Sequence, residues 1–232
     1  MAETLRYQTL ERLRVPRPVD RLAFIAARCR DKRVLDIGCL DETALAKKDT
    51  DQWLHGRIGT VAKQVIGVDS SDRLPADGLV TGPNARIVKG DGTKPNVNAK
   101  DVDIIVAGEF IEHLDNPLAF LKTVKPRFPG RTMLISTPNG VSFANALLAT
   151  IGREAQHEDH LLTSTYKTLN TLCIRSGVGD WKIVPYRFYA TEMLLASSGP
   201  RKLFVKLVEK LIRAVEYVFP LRSFGYIVEI TL

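Results

Sequence analysis

The stretch Val34-Leu35-Asp36-Ile37-Gly38-Cys39 is a short, largely apolar run that ends at a glycine. Runs of this kind form strands that are buried on both faces of a parallel sheet. Four more follow along the chain: Val65–Val68, Ile87–Val88, Ile104–Val106 and Met133–Ser136. Segments of helical character, such as Pro117–Lys125, separate them. Because alternating strands and helices form right-handed βαβ units, the sequence predicts an α/β fold with an open, doubly wound and mostly parallel sheet.

The residues before this predicted core, which spans residues 31–190, have a different pattern. Residues 1–30 carry apolar side chains at helical spacing, with a break at Pro16 and Pro18. We therefore expect amino-terminal helices that precede the sheet and are interrupted at the two prolines.

The carboxyl-terminal segment, residues 191–232, combines a helical pattern with a strand pattern. An amphipathic helix is predicted over 201–219, and its apolar face is expected to pack on the sheet or to form a homodimer. Peripheral membrane contact through this helix is the alternative. The alternating runs Trp181–Tyr189 and Tyr226–Ile230 predict an antiparallel terminal hairpin. No repeat or long polar linker interrupts residues 1–232, so a single domain is expected.

The composition is that of a packed, basic chain. Its 232 residues include 33 Lys and Arg against 26 Asp and Glu, for a formal net charge of +7, and 45% are hydrophobic. These values exclude bulk disorder, and three cysteines are too few for a disulfide scaffold. Because neither a membrane-spanning run nor the apolar core of a signal peptide is found, a cytoplasmic location, with peripheral membrane contact as an option, is expected. The basic balance indicates an anionic partner such as nucleic acid, a nucleotide or lipid headgroups.

Polar residues and glycines follow every predicted strand of the core. They are found at Asp36–Cys39, at Asp69, at Gly90–Gly92, at Gly108–His113 and at Thr137–Gly140. In an open α/β sheet the ligand binds at the carboxyl ends of the strands, so these residues are expected to meet in one site. A carboxylate after the second strand suits ribose hydroxyls, whereas neither phosphate-binding glycine motif is present. The predicted ligand therefore carries an adenosine-like ribose without a pyrophosphate.

Together these motifs resemble the class I S-adenosylmethionine-dependent methyltransferases, and in particular the broad group that includes the ubiquinone-biosynthesis O-methyltransferases. The resemblance covers about residues 30–190 and rests on Val34–Cys39, Val65–Asp69, Gly90-Asp91, Glu109–Leu114 with Asn116-Pro117, and Ser136–Asn139. It implies a Rossmann-like fold and S-adenosyl-L-methionine as cofactor. The implied reaction is O-methylation of a small metabolite, a saccharide or a lipid-linked acceptor.

The resemblance also implies which residues bind the cofactor. Asp36 and Gly38 would hold its methionine end, Asp69 its ribose and Asp91 its adenine amine. The full implied set is Asp36, Gly38, Cys39, Asp69, Ser70, Asp91, Gly92 and Glu109. One departure concerns the first loop, where the family pattern Gly-x-Gly-x-Gly is replaced by Gly38-Cys39-Leu40-Asp41-Glu42-Thr43. This loop is expected to take another path, and a cofactor-binding module without catalysis is one alternative that follows.

Methyl transfer to a hydroxyl requires an aligned acceptor and a group that removes its proton. His113 is predicted to be the general base, with Glu112 beside it, although a residue that only begins a helix is the plainer interpretation. His157, His160, Asn139 and Trp53 are predicted to line the substrate pocket, with core packing as the alternative for Trp53.

A second interpretation uses some of the same residues for a metal. The spacing E-x-x-E-H at Glu109–His113, followed by His157 and His160, resembles that of the small-RNA 3′-terminal ribose O-methyltransferases. The first interpretation, without a metal, is the favoured one; if a divalent metal such as Mg²⁺, Mn²⁺ or a similar ion is present, this resemblance implies that Glu109, Glu112, His113 and His160, or His157 in place of His160, hold it. The net charge of +7 is compatible with an RNA partner.

Overall fold

An eight-stranded sheet forms the centre of the computed structural model, which describes residues 10–40, 44–47 and 50–232. The strands are β1 (Arg33–Ile37), β2 (Gln64–Asp69), β3 (Leu79–Gly82), β4 (Ala85–Lys89), β5 (Ile104–Gly108), β6 (Thr132–Pro138), β7 (Trp181–Tyr186) and β8 (Gly225–Thr231). Their order in the sheet is β3-β4-β2-β1-β5-β6-β8-β7. The strands from β4 to β6 in this order are parallel, while β3, β8 and β7 run antiparallel to their neighbours. The predicted Rossmann-like α/β sheet with an antiparallel terminal hairpin is confirmed.

Helices flank this sheet. They are α1 (Arg21–Cys29), α2 (Ala44–Lys47), α3 (Leu54–Gly59), α4 (Pro117–Arg127), α5 (Phe143–Thr150), α6 (Tyr166–Ser176), α7 (Thr191–Leu195) and α8 (Gly199–Val218). Within the described residues, no helix is long and apolar enough to cross a bilayer.

The order of strands changes direction at β1. This strand pairs with β2 on one side, through Val34 and Val65, and with β5 on the other, through Val34 and Ile104. The connections on its two sides therefore diverge, which leaves a crevice at the carboxyl ends of these three strands. All residues of β1 after Arg33 are buried, because helices cover both faces of the sheet.

The amino-terminal segment differs from its prediction. Among residues 10–30 only Arg21–Cys29 is helical, and residues 1–9 lie outside the described part of the chain. Pro16 and Pro18 fix their φ angles and lack the N–H that a helix would need, so the chain before α1 is extended. Val19 then pairs with Tyr186 next to the sheet, and the Asp20 carboxylate accepts the Ala23 N–H at 2.9 Å to cap α1.

One carboxylate on α8 is enclosed by the fold. The side chain of Glu216 is fully buried, and its Oε2 accepts the Phe188 N–H at 2.8 Å. Its Oε1 has no hydrogen-bond partner among the described residues. Burial raises the pKa of Glu216 to about 7, which backbone N–H groups and Arg213 oppose only in part. Because the pKa of Glu216 is higher in the folded chain than in the unfolded one, ionisation of this group destabilises the folded state.

We expect the substitution Glu216→Gln to stabilise the protein at alkaline pH. The folded state holds the Glu216 proton up to about pH 7, so the free energy of unfolding falls as the pH rises from about 4.5 to 7 and stays low above it. Glutamine carries no charge and keeps an oxygen for Phe188, so the gain should be on the order of 2 kcal/mol at pH 8 and small at pH 4.5. Urea unfolding of both proteins at the two pH values measures it. An equal difference at both values would contradict this explanation.

Candidate active site

A cavity of about 1200 Å³ opens at the carboxyl ends of the central strands. Its lining includes residues that the sequence assigned to a cofactor: Asp36, Gly38, Cys39, Asp69, Ser70, Gly92 and Glu109. It also includes His113, His157 and His160, and Lys202, Glu209 and Arg213 of α8. This volume is large enough for a nucleoside cofactor together with an acceptor.

Two glycines allow the backbone to lie against the ring of Phe110. Gly38 has a φ of +66°, and a Cβ at this position would lie 2.4 Å from Cδ2 of Phe110. A Cβ at Gly92 would lie 3.0 Å from Cζ of the same ring. A side chain at either position would therefore collide with Phe110, while the contact of Gly38 and Gly92 with the cofactor stays a prediction.

Asp36 is engaged inside the protein. Its side chain is only 2% exposed, and its Oδ2 lies 2.9 Å from Nδ1 of His55. Nε2 of His55 in turn lies 2.9 Å from Oγ1 of Thr81. The predicted contact of Asp36 with the methionine end of the cofactor therefore competes with a hydrogen bond that is already formed. Asp36, His55 and the buried Cys39 also lie close enough to share a metal ion.

The altered glycine loop takes a path that Asp69 and Trp53 define. The Asp69 carboxylate accepts the Leu40 N–H at 2.9 Å and the Ser71 N–H at 2.8 Å. Nε1 of Trp53 donates to the Cys39 carbonyl at 2.9 Å. Trp53 borders the cavity, as predicted, and at 3% exposure it also packs in a buried cluster with Cys39 and Leu40. Residues 41–43 of this loop lie outside the described residues.

Asp69 and Ser70 remain well placed for a ribose. Both border the cavity, and each oxygen of a carboxylate can accept a second hydrogen bond. Asp91 differs, because its side chain is exposed and does not border the cavity. Its Oδ1 accepts the N–H and the hydroxyl of Thr93 at 2.8 and 2.6 Å, and these bonds lower the pKa of Asp91. In this structure Asp91 shapes the turn that contains Gly92, and its contact with adenine stays a prediction.

The Glu109 carboxylate is held by three residues that sequence reasoning missed. It accepts the hydroxyls of Tyr186 at 2.8 Å and Tyr189 at 2.9 Å, and it lies 3.4 Å from the Arg21 guanidinium. Burial raises the pKa of both tyrosines well above 10, so they remain hydrogen-bond donors. Glu109 itself has a φ of +56°, which points to a backbone fixed by this network.

Glu112 is the buried carboxylate of the site. It is 2% exposed, and no hydrogen bond of standard geometry reaches its oxygens from the described residues, although the Thr137 hydroxyl lies close enough to lower its pKa. Burial, reinforced by the negative charge of Glu109, raises the pKa of Glu112 to about 8. Its main-chain carbonyl accepts the N–H groups of Leu161 and Leu162 at 2.9 and 3.2 Å, which brings the loop that carries His160 alongside.

Glu112 forms a compact group with His113 and His160. One ligand atom from each of the three lies within 4.8 Å of the others, and the two imidazole rings are 4.7 Å apart. The structure therefore unites three of the four predicted metal ligands, while Glu109 is turned to Arg21 and the tyrosines. The ring of His157 is 6.2 Å from that of His113 and also borders the cavity.

Hydrogen bonds orient both imidazoles of this group. Nδ1 of His113 lies 3.2 Å from the Asp159 carbonyl, and Nδ1 of His160 lies 3.3 Å from Oε1 of Gln156. When an imidazole donates such a bond through Nδ1, its Nε2 is the atom that a metal ion could bind. Burial and the neighbouring imidazoles lower the pKa of His160, which favours its neutral form.

Asn139 was predicted to line the pocket, and the structure places it inside the fold instead. It is fully buried, and its Nδ2 donates to the carbonyls of Leu221 at 3.1 Å and Ser223 at 2.8 Å. Because its amide satisfies main-chain groups of the turn before β8, it does not face the cavity. Pro138 and Asn145 border the cavity from the same region.

A profile described as "Methyltransferase domain" matches residues 6–178, which is most of the chain. The protein belongs to this methyltransferase family. The expectation of an S-adenosylmethionine-dependent methyltransferase is confirmed, and S-adenosylmethionine is its cofactor. The narrower resemblance to the ubiquinone-biosynthesis enzymes stays a prediction. No curated protein matches the chain significantly.

Solved structures similar to this methyltransferase share its fold at low identity. An S-adenosylmethionine-dependent methyltransferase from Mesorhizobium loti is 17% identical with a TM-score of 0.54, over 91% of this chain and 95% of that one. The methyltransferase domain of bacterial CtHen1-CN is 19% identical with a TM-score of 0.52, over 92% and 98%. Phosphoethanolamine N-methyltransferase 2 of Haemonchus contortus, in complex with S-adenosyl-L-methionine, is 13% identical with a TM-score of 0.52, over 91% and 51%. These names differ in the acceptor, so the shared fold does not identify it.

Proposed function

We propose that this methyltransferase transfers a methyl group to a hydroxyl oxygen, and that a divalent cation held by Glu112, His113 and His160 binds the acceptor. The observation that carries the proposal is the geometry of this group, in which the buried Glu112 carboxylate offers a ligand atom within 4.8 Å of ligand atoms of both imidazoles. A buried carboxylate in such surroundings is costly unless a cation or a donor satisfies it.

The donor set fits a first-row divalent metal. One carboxylate and two imidazoles form a mixed oxygen and nitrogen set, which suits Mn²⁺, Fe²⁺, Co²⁺ or Zn²⁺ better than Mg²⁺. The carbonyl of Asp159 and the amide of Gln156 orient the two rings, as outer partners do in metal sites. A bound cation would polarise an acceptor hydroxyl and lower its pKa.

The chain's own residues perform the remaining tasks. S-adenosylmethionine supplies an electrophilic methyl group, so the protein has to align the acceptor in line with it. Gly38 and Gly92 let the cofactor approach the backbone, and Asp69 offers carboxylate oxygens to its ribose. His113 borders the same cavity and would hold the cation in this proposal, so the hydroxyl proton, whose pKa the cation would lower, would leave to solvent in the open cavity.

A small metabolite, a saccharide or a lipid-linked acceptor is the substrate class that we favour. The terminal ribose of an RNA is the second candidate. Its support is the group of Glu112, His113 and His160, because these are three of the residues on which the sequence resemblance to RNA ribose methyltransferases rests. Both classes present a hydroxyl, and a terminal ribose presents two adjacent ones.

Metal binding tests the proposal without knowledge of the acceptor. Titration of chelator-treated protein with Mn²⁺, followed by electron paramagnetic resonance, should show one ion per chain. His113→Gln and His160→Gln should weaken binding at least about tenfold, whereas His157→Gln, in the same cluster but outside the group, is the matched control. A thiolate charge-transfer band with Co²⁺ would assign the ion to Asp36, Cys39 and His55 and contradict the proposal.

Labelled cofactor then tests the reaction itself. We expect transfer to oxygen acceptors among sugars, quinols and lipid-linked glycans, or to RNA 3′ ends for the second candidate, and loss of transfer in EDTA. Transfer that persists in EDTA, or that occurs only at nitrogen, would overturn the metal or the hydroxyl part of the proposal respectively.

A further inference from the structure

The acidic side chains of α8 are turned away from its outer surface. This helix contains two of them, and Glu216 is fully buried against Phe188. The Glu209 carboxylate, 13% exposed, accepts the Ala190 N–H at 3.0 Å and pairs with Arg213 at 2.8 Å. Since both acids satisfy groups of the protein itself, the exposed charges of α8 are the basic ones.

The outer face of α8 consists of large apolar side chains. Leu203, Phe204, Leu207, Leu211 and Val218 follow i, i+4 and i, i+7 spacing, so they lie along one side of the helix. Their exposed fractions lie between 61% and 70%, and the described part of the chain leaves them uncovered. We call these five residues the α8 outer face.

Exposed cations border this face. Lys206 and Lys210 lie along one edge and Arg201 lies near the other. Lysine stems can lie along an apolar surface while their ammonium groups reach outward. An apolar face with a basic border is the pattern of a helix that lies in the plane of a lipid surface, with its apolar side chains at the boundary between headgroups and acyl chains.

We propose that the α8 outer face docks onto an anionic phospholipid bilayer. Charge complementarity selects this occupant. Pairing of two α8 outer faces would bring lysine and arginine borders together without an acidic partner from either helix, which opposes a second copy of the chain. A nucleic acid would be attracted by the cations but would offer nothing to cover leucine and phenylalanine side chains.

Docking would place the active-site cavity beside the lipid. Two residues near the amino-terminal end of α8 border the cavity: Leu195, which ends α7 and is 62% exposed, and Lys202 in the first turn of α8. A surface-bound enzyme would therefore open its cavity near the headgroups. This surface assignment is independent of the acceptor and of the metal, because binding to vesicles needs neither.

Vesicle flotation of the full chain tests the proposal. The probes are vesicles of phosphatidylcholine with an equal part of phosphatidylglycerol, and vesicles of phosphatidylcholine alone. We expect the protein to float with the anionic vesicles only, and less in high salt. Lys206→Gln with Lys210→Gln should lower the partition coefficient roughly 25-fold, about fivefold per lysine. Leu207→Gln with Leu211→Gln should lower it by on the order of a hundredfold.

Matched controls distinguish binding through the α8 outer face from non-specific binding to vesicles. Val80→Gln removes an apolar side chain that is 80% exposed on β3, at the opposite edge of the sheet, and Lys63→Gln removes an exposed lysine near β2. Both should float like the unmodified chain, and thermal unfolding should show that all variants are folded. Absence of flotation, or equal flotation of all variants, overturns the proposal. It is also overturned by a dimer that Leu207→Gln with Leu211→Gln dissociates, or by retention of RNA without flotation.

Discussion

Replacement of Asp69 by alanine is expected to weaken binding of S-adenosylhomocysteine by at least about a hundredfold. The Asp69 carboxylate accepts the Leu40 and Ser71 N–H groups and, in our proposal, the ribose hydroxyls. Hydrogen bonds to a charged group contribute about 1.5–3 kcal/mol each, so loss of two from the ligand is enough for this effect. Two main-chain donors would also lose their acceptor, which would displace the loops after β1 and β2. Calorimetric titration measures the affinity.

Asp72→Ala is the control for this prediction. Asp72 lies three residues further along, and its fully exposed carboxylate pairs with Lys89 at 2.8 Å. Its removal should leave the affinity within about twofold, because exposed ion pairs contribute little. Affinity that is unchanged in a folded Asp69→Ala variant would place the ribose elsewhere. A variant that loses its near-ultraviolet circular dichroism would instead report loss of the loops, and Asp69→Asn, which keeps one acceptor oxygen, then resolves the ribose contact.

The substitution Glu112→Gln is expected to abolish methyl transfer and to stabilise the metal-free protein. Loss of the carboxylate removes one of three ligands, so we expect transfer to fall by about a thousandfold or more while the affinity for S-adenosylhomocysteine stays within about twofold. The folded protein holds the Glu112 proton up to about pH 8, so its free energy of unfolding falls as the pH rises from about 4.5 to 8. Glutamine removes this dependence, and the gain at pH 7 should be on the order of 3 kcal/mol.

Urea unfolding at several pH values and a labelled-cofactor assay measure the two effects on the same samples. Glu158→Gln is the control, since Glu158 is an exposed acid in the loop that carries His160. It should change neither quantity. A Glu112→Gln variant that is less stable at pH 7 and equally active would show that the carboxylate serves folding alone.

Much of the fold was predictable because it depends on local patterns. The apolar runs around Val34, Val65 and Ile104 form β1, β2 and β5 as expected. The extended chain before α1 was missed, since the apolar spacing of this segment outweighed its two prolines in the prediction. The edge strand β3 was also missed, because four residues at a sheet edge give little periodicity.

The candidate site was predictable as a set of residues and not as a set of contacts. Gly38, Asp69 and His113 border the cavity because the carboxyl ends of neighbouring parallel strands meet at one edge. The partner of Asp36 is His55, nineteen positions away, and the partners of Glu109 are Arg21 on α1, Tyr186 at the end of β7 and Tyr189 just after it. No spacing in the chain predicts these pairs, since side chains from distant segments meet only after the sheet and helices have packed.

The sequence by itself therefore determined the strands, the amphipathic helix and the polar residues at the sheet edge, because periodicity and strand ends are local properties. Only the tertiary structure decided which carboxylates are already satisfied. It joined Glu109 to Arg21 and two tyrosines, placed the buried Glu112 beside His113 and His160, and turned Glu209 and Glu216 of α8 inward. The physical reason is that burial and pairing determine the pKa of a carboxylate and whether it is free to bind a ligand, and both depend on neighbours that are distant along the chain.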